Sequence, residues 1–113
     1  MGNNSSATHV RHIRNLLKKG DEGAVVRYFL RLRRHKPASW VNILEGLGDD
    51  QILVIDILLS SLEGKNLDKK KKAFIAEMCW VYNSYLKEKF GDVVAKTFFS
   101  GTAGEIVWSL MAA

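Results

Sequence analysis

The chain has 113 residues, 47% apolar and 26% charged, with 17 lysines and arginines against 12 acids and a net charge of +5. That length suits one small domain with a single core, and the apolar share is too high for an intrinsically disordered chain. The longest apolar run, Ile52 to Leu59, is broken by Asp56 and is too short to span a bilayer, and the N-terminus lacks the apolar stretch of a secretory signal.

Met1 to Ser6, MGNNSS, reads as the start of a flexible leader over residues 1–8, followed by one helical domain over 9–113. Ser6 or Thr8 is the expected cap of a first helix through Val10, Ile13, Leu16 and Leu17, and Gly20 supplies its left-handed stop. Asp21 caps the next helix, which carries Val25, Tyr28, Phe29 and Leu32 on one face and Arg27, Arg31 and Arg34 on the other. Pro37 biases Lys36 out of the α region, so this basic helix should end there, with Ser39 capping a short helix from Trp40 to Leu47. Asp50 is placed to cap residues 51–62, QILVIDILLSSL, which are apolar almost all round and belong at the centre of a bundle.

Gly64 and Asn66 mark a turn, and Asp68 caps the longest helix, Lys69 to Phe90. Its buried stripe is Phe74, Ile75, Met78, Cys79, Tyr82, Tyr85 and Leu86, and Gly91 ends it. Asp92 opens a further helix through Val93, Val94, Phe98 and Phe99, closed by Gly101, and Thr102 with Glu105 forms a capping box for the last one. Trp80 and Trp108 fall in helical apolar patterns and are expected in the core. The predicted fold class is all-α, a compact orthogonal bundle of five to seven short helices.

The charges come in blocks. Residues 1–36 hold nine basic side chains against Asp21 and Glu22, residues 37–64 hold five acids and no base, and residues 65–113 hold eight lysines against five acids. Catalytic chemistry is not visible: there is no glycine-rich phosphate loop, no Gly-x-Ser-x-Gly elbow and no paired carboxylates in an apolar run. The acids Asp21, Asp50, Asp68, Asp92 and Glu105 stand at expected helix starts, where capping accounts for them. His9 and His12 share a helix face but lack a third ligand nearby, and His35 stands apart in the sequence, so solvated histidines are expected rather than a metal site. Cys79 reads as a core residue of a protein kept in a reducing, cytoplasmic compartment. The expected protein is a binding module with no enzyme activity, no cofactor and no small-molecule substrate.

Two features point to a partner. Met1-Gly2-Asn3-Asn4-Ser5-Ser6 matches the N-myristoylation pattern, with Gly2 as the acylation site; a vector glycine ahead of a polar leader is the plainer alternative. One myristoyl chain holds a membrane only marginally, and a polybasic surface is the usual second signal. Lys18, Lys19, Arg27, Arg31, Arg33, Arg34 and Lys36 are the candidates for anionic lipid or phosphate contact, while the isolated Arg11 and Arg14 read as ordinary surface residues. A second basic cluster, Lys69, Lys70, Lys71 and Lys72, opposes the positive end of its own helix dipole, so stability alone does not place it there. Lipid contact, RNA binding, nuclear import and a solubilising run offset by Asp68 stay open for it. RNA also stays open as a phosphate-backbone partner of the first cluster, although no RNP-like strand or helix-turn-helix signature is present.

With MGNNSS, a first helix HVRHIRNLLKKG and the basic stretch YFLRLRRHKPASW, the first 45 or so residues resemble the matrix domain that opens retroviral Gag polyproteins. The resemblance implies N-myristoylation at Gly2, recognition of phosphoinositides and phosphatidylserine by the basic residues named above, and Gag assembly at the inner face of the plasma membrane. Residues 10–47, from Val10 and Ile13 through GDEGAVVRYFLRL to Trp40 and Leu47, are also similar to the second to fourth helices of CARD domains in RNA-sensing innate immune adaptors. That likeness implies homotypic assembly through opposed charged patches.

Overall fold

The computed structural model describes the backbone of residues 3–99 and 101–112 and the side chains of residues 6–97, 99 and 104–109. Its helices are α1 (Asn3–Lys18), α2 (Glu22–Leu30), α3 (Pro37–Gly46), α4 (Gln51–Glu63), α5 (Lys69–Phe90), α6 (Asp92–Phe98) and α7 (Gly101–Ala112). Two 3-10 turns, Arg31–Arg34 and Gly48–Asp50, complete the regular structure, and no strand occurs among the described residues. The protein is an all-α bundle.

Local chemistry sets several of these boundaries. Asp21 Oδ1 accepts from the Ala24 N–H at 3.0 Å, and Asp68 Oδ1 accepts from the Lys71 N–H at 2.9 Å. Each bond satisfies one of the donors that a helix start leaves without an intrahelical partner. Gly20 and Gly91 follow α1 and α5 with φ of 70° and 94°, a backbone region that costs a side chain with a Cβ about 1–2 kcal/mol.

The bundle is arranged around α5, which packs against α2, α3, α4, α6 and α7, while α1 packs on α2 and α3. Ile75, Met78 and Cys79 of α5 meet a core that includes Val54, Ile55 and Leu58 of α4, Val25 and Phe29 of α2, Leu44 of α3 and Ile13 of α1, all fully buried. Each such side chain contributes roughly 1.5–3 kcal/mol by leaving water. No described polar or charged residue is buried, and the radius of gyration of 13.2 Å matches the roughly 13 Å of a compact domain this long. Among the described residues no helix is long and apolar enough to cross a membrane.

Several sequence expectations are corrected. The first helix begins at Asn3 rather than at a Ser6 or Thr8 cap, so much of the expected leader is helical, with Ser6 and Ala7 lining the junction beside Gly46 of α3. The basic helix ends at Leu30 and tightens into the 3-10 turn Arg31–Arg34. Pro37 does end that segment, but it also opens α3 as its first residue, because its missing N–H is one the helix start does not use. Asp50 makes no cap bond; its carboxylate faces Arg14. Ile52 and Leu53 of α4 are about half exposed, at 51% and 48%, so that helix is covered on most sides but not all. Trp108 is 60% exposed, because α7 lays only part of its surface on α4 and α5. Gly101 is the first residue of α7, so Thr102 lies inside the helix rather than at its cap.

Candidate functional site

Gly20 turns the chain between α1 and α2, and the N-terminal half of α1 then meets the C-terminal half of α2: His9 Nδ1 lies 2.6 Å from the Tyr28 hydroxyl. The basic residues decorate this hairpin and its exit. Lys18 ends α1 and Lys19 follows it in the turn, Arg27 stands on α2, Arg31, Arg33 and Arg34 occupy the 3-10 turn, and Lys36 immediately precedes α3; all seven are exposed. Side chains three apart on a 3-10 helix eclipse, so Arg31 and Arg34 project alike, while Leu32 between them is buried. Trp40 fixes the turn from beneath, because its Nε1–H donates to the Leu32 carbonyl at 2.8 Å and its ring sits edge-on to Phe74 at 5.2 Å.

None of these cations forms an ion pair among the described residues. The ion pairs among the described residues are Arg14–Asp50 at 3.3 Å, Lys87–Asp92 at 3.8 Å and Lys89–Glu45 at 3.0 Å, and none of the seven takes part. From Gly23 to Leu44 the chain holds no acid at all.

The structure distributes the cluster rather than gathering it into one pocket. Arg27 lines a groove of about 400 Å³ between α2 and α4, floored by Val26, Leu30 and Ile57, and Lys71 of the second basic cluster lines the same groove. Glu22 also borders it, which lowers its net positive charge. Lys69 and Lys70 are exposed and Lys72 is half-buried, and none of the three lines this groove. Lys18 shares a second groove, beside α3, with Arg11 and Arg14. Arg14 is held there by Asp50 and by a 3.1 Å hydrogen bond from its Nη2 to the Leu47 carbonyl, so it has a fixed structural role that its sequence position did not signal.

The histidines are the feature that sequence reading missed. His9 and His35 meet edge-on with ring centroids 5.4 Å apart, His9 meets Tyr28 at 5.7 Å, and His12 stacks over Tyr28 at 6.0 Å. Burial, then His35, then His12 hold the His9 ring below the ordinary histidine pKa, since each disfavours a charge there. The spacing of His9 and His12 carries a local signal, but His35 arrives through the fold. No three His, Cys, Asp or Glu side chains among the described residues are arranged to hold a metal ion.

At the other end of the molecule, Trp80 and Trp108 lie 5.2 Å apart beside a groove of about 260 Å³ that Lys87, Lys96 and Phe99 also line. Cys79 is buried, and desolvation pushes its thiol up to about 12, which keeps it protonated and unreactive at neutral pH. Gly2, the expected acylation site, lies outside the described residues; it immediately precedes Asn3, the first residue of α1. Comparison with protein-family models, with curated proteins and with solved structures finds no match to this chain.

Proposed function

We propose that this chain is a non-enzymatic module that binds anionic membrane surfaces, with myristate on Gly2 and the basic residues around the α1–α2 hairpin as its two signals. Its role on this reading is matrix-like assembly at the cytoplasmic face of the plasma membrane. The observation that carries the proposal is the set of seven exposed cations between Lys18 and Lys36, none of them ion-paired among the described residues, in a span whose acids are Asp21 and Glu22 alone. Uncompensated exposed charge contributes little to folding, whereas each Lys or Arg beside an anionic leaflet is worth roughly 1 kcal/mol. Four or five of them raise affinity by about three orders of magnitude, enough to turn a marginal single-chain anchor into a stable one.

Placement supports the pairing of the two signals. His35, at the end of the arginine turn, touches His9, which lies six residues or about 9 Å along α1 from Asn3. The residue that follows the arginine turn therefore contacts the N-terminal half of α1. The test is flotation of the Arg31→Glu, Arg34→Glu double variant on vesicles containing phosphatidylserine and phosphoinositide, with circular dichroism as the folding control. Both side chains are exposed, so the fold should persist while binding falls by two orders of magnitude or more, at roughly 1 kcal/mol per unit of charge changed. Unchanged flotation of a folded double variant would remove the proposal, and filament formation without lipid would favour the CARD-like reading instead.

A further inference from the structure

We infer that His9, His12 and His35 form a proton-controlled part of the anion-binding surface, so that the protein holds phosphate-bearing anionic membranes more tightly in mild acid than at neutral pH. The inference rests on the membrane reading above and adds its regulation.

The three histidines of the chain lie in one cluster: His9 and His12 of α1 both meet Tyr28, and His35, from the segment before α3, meets His9. His12 and His35 are exposed and His9 is half-buried, so an incoming headgroup has access to two of the rings. The charged groups around them are cationic. His35 and His12 act on His9, and Arg31 acts on Tyr28. Arg33, Arg34 and Lys36 flank His35 in the chain, and α1 contains no acid. Of the elements packed against α1, α3 has Glu45 as its only ionisable group, and that carboxylate accepts from Tyr85 and Lys89 of α5. On α2 the one acid is Glu22, which borders the Arg27–Lys71 groove. A proton added to this cluster therefore meets like charge and lacks a carboxylate partner from these elements, and an external anion is what relieves it. Binding and protonation are then reciprocally linked: acid strengthens anion binding, and a bound anion favours a proton on the cluster. The 2.6 Å contact between His9 Nδ1 and Tyr28 survives either state, because the hydroxyl donates to the neutral ring and accepts from the charged one.

The experiment measures partitioning onto phosphatidylglycerol vesicles at about pH 7.5 and about pH 5.5 at constant ionic strength, since that phosphodiester keeps its charge across the range while histidine titrates. At about fivefold per added charge, one or two new protons give roughly five- to thirtyfold tighter binding in acid. The His12→Gln, His35→Gln double variant leaves the core and the His9–Tyr28 hydrogen bond intact and should lose most of that gain. Adding His9→Gln should abolish the rest. Equal wild-type binding at the two pH values overturns the inference while leaving the membrane reading standing, as does a pH dependence that persists in the folded triple variant. Absence of binding at both values overturns both. Binding confined to acid and lost in the variants upholds the inference and restricts the membrane reading to acidic conditions.

Discussion

Trp40→Phe tests whether the arginine turn is anchored as the structure describes. Trp40 is 3% exposed, donates its indole N–H to Leu32 at 2.8 Å and meets Phe74 edge-on at 5.2 Å. Phenylalanine keeps a six-membered ring for the Phe74 contact but removes the donor and the remaining ring atoms. The lost hydrogen bond is worth about 1 kcal/mol net. The penalty stays modest because the Leu32 carbonyl also accepts from the His35 N–H at 2.9 Å and is not orphaned. The vacated volume adds about 1–2 kcal/mol, below the 3–5 kcal/mol of a full Trp→Ala truncation. The sum is about 2–3 kcal/mol, or roughly a 1 M drop in urea midpoint with an unchanged slope. Far-UV circular dichroism is the readout, since the other two tryptophans complicate fluorescence. Hydrogen exchange should show the His35 amide losing protection before the α5 amides. A midpoint shift below about 0.3 M, or uniform loss of protection, would refute the anchoring role.

Other perturbations separate roles that look alike in sequence. Asp21→Ala and Asp68→Ala each remove a cap bond and should cost about 1 kcal/mol in urea unfolding, whereas Asp50→Ala loses only an exposed ion pair and should cost about 0.5 kcal/mol or less. Gly104→Ala should destabilise by about 1–3 kcal/mol, because the new Cβ would collide with the Phe99 carbonyl oxygen, a backbone atom that moves only with its chain. Cys79 should resist thiol reagents in the folded protein and react on unfolding, as a buried thiol whose pKa is pushed up to about 12. Stability should fall with acid in two steps. Because His9 titrates below its ordinary 6.5 in the folded state, its contribution is complete above that value and is lost as the pH falls below it, a step that His9→Gln removes. Glu45, held below its ordinary 4.5 first by the Tyr85 and then by the Lys89 hydrogen bond, contributes a second loss below pH 4.5 that Glu45→Gln removes.

What was legible in the sequence was what local chemistry decides. Asp21, Asp68, Gly20 and Gly91 act through bonds and dihedrals within a few residues, and they stand where their types predicted. The stripe from Ile75 to Leu86 was readable because α5 packs against five other helices, so its apolar period maps onto a continuous core. Pro37 misled because proline both ends one segment and opens the next, its missing N–H being one that a helix start does not use. Asp50 looked like a cap until Arg14, 36 residues away in sequence, claimed its carboxylate. Ile52, Leu53 and Trp108 are apolar by composition and half exposed by position, since a helix near the edge of a bundle runs out of neighbours. For the candidate site, the identity of the cations was legible and their grouping was not. The meeting of Arg27 with Lys71, of His9 and His12 with Tyr28, and of His35 with His9 is created by packing between elements.

The most direct test of the membrane proposal is flotation of protein made with an N-myristoyltransferase present, its acylation confirmed by intact mass, on vesicles with and without phosphatidylserine. The account predicts a myristoylated Gly2 and flotation that requires both the acyl group and the anionic lipid, with Gly2→Ala left at the bottom of the gradient. An unmodified Gly2, or acylated protein that ignores the anionic lipid, would contradict it.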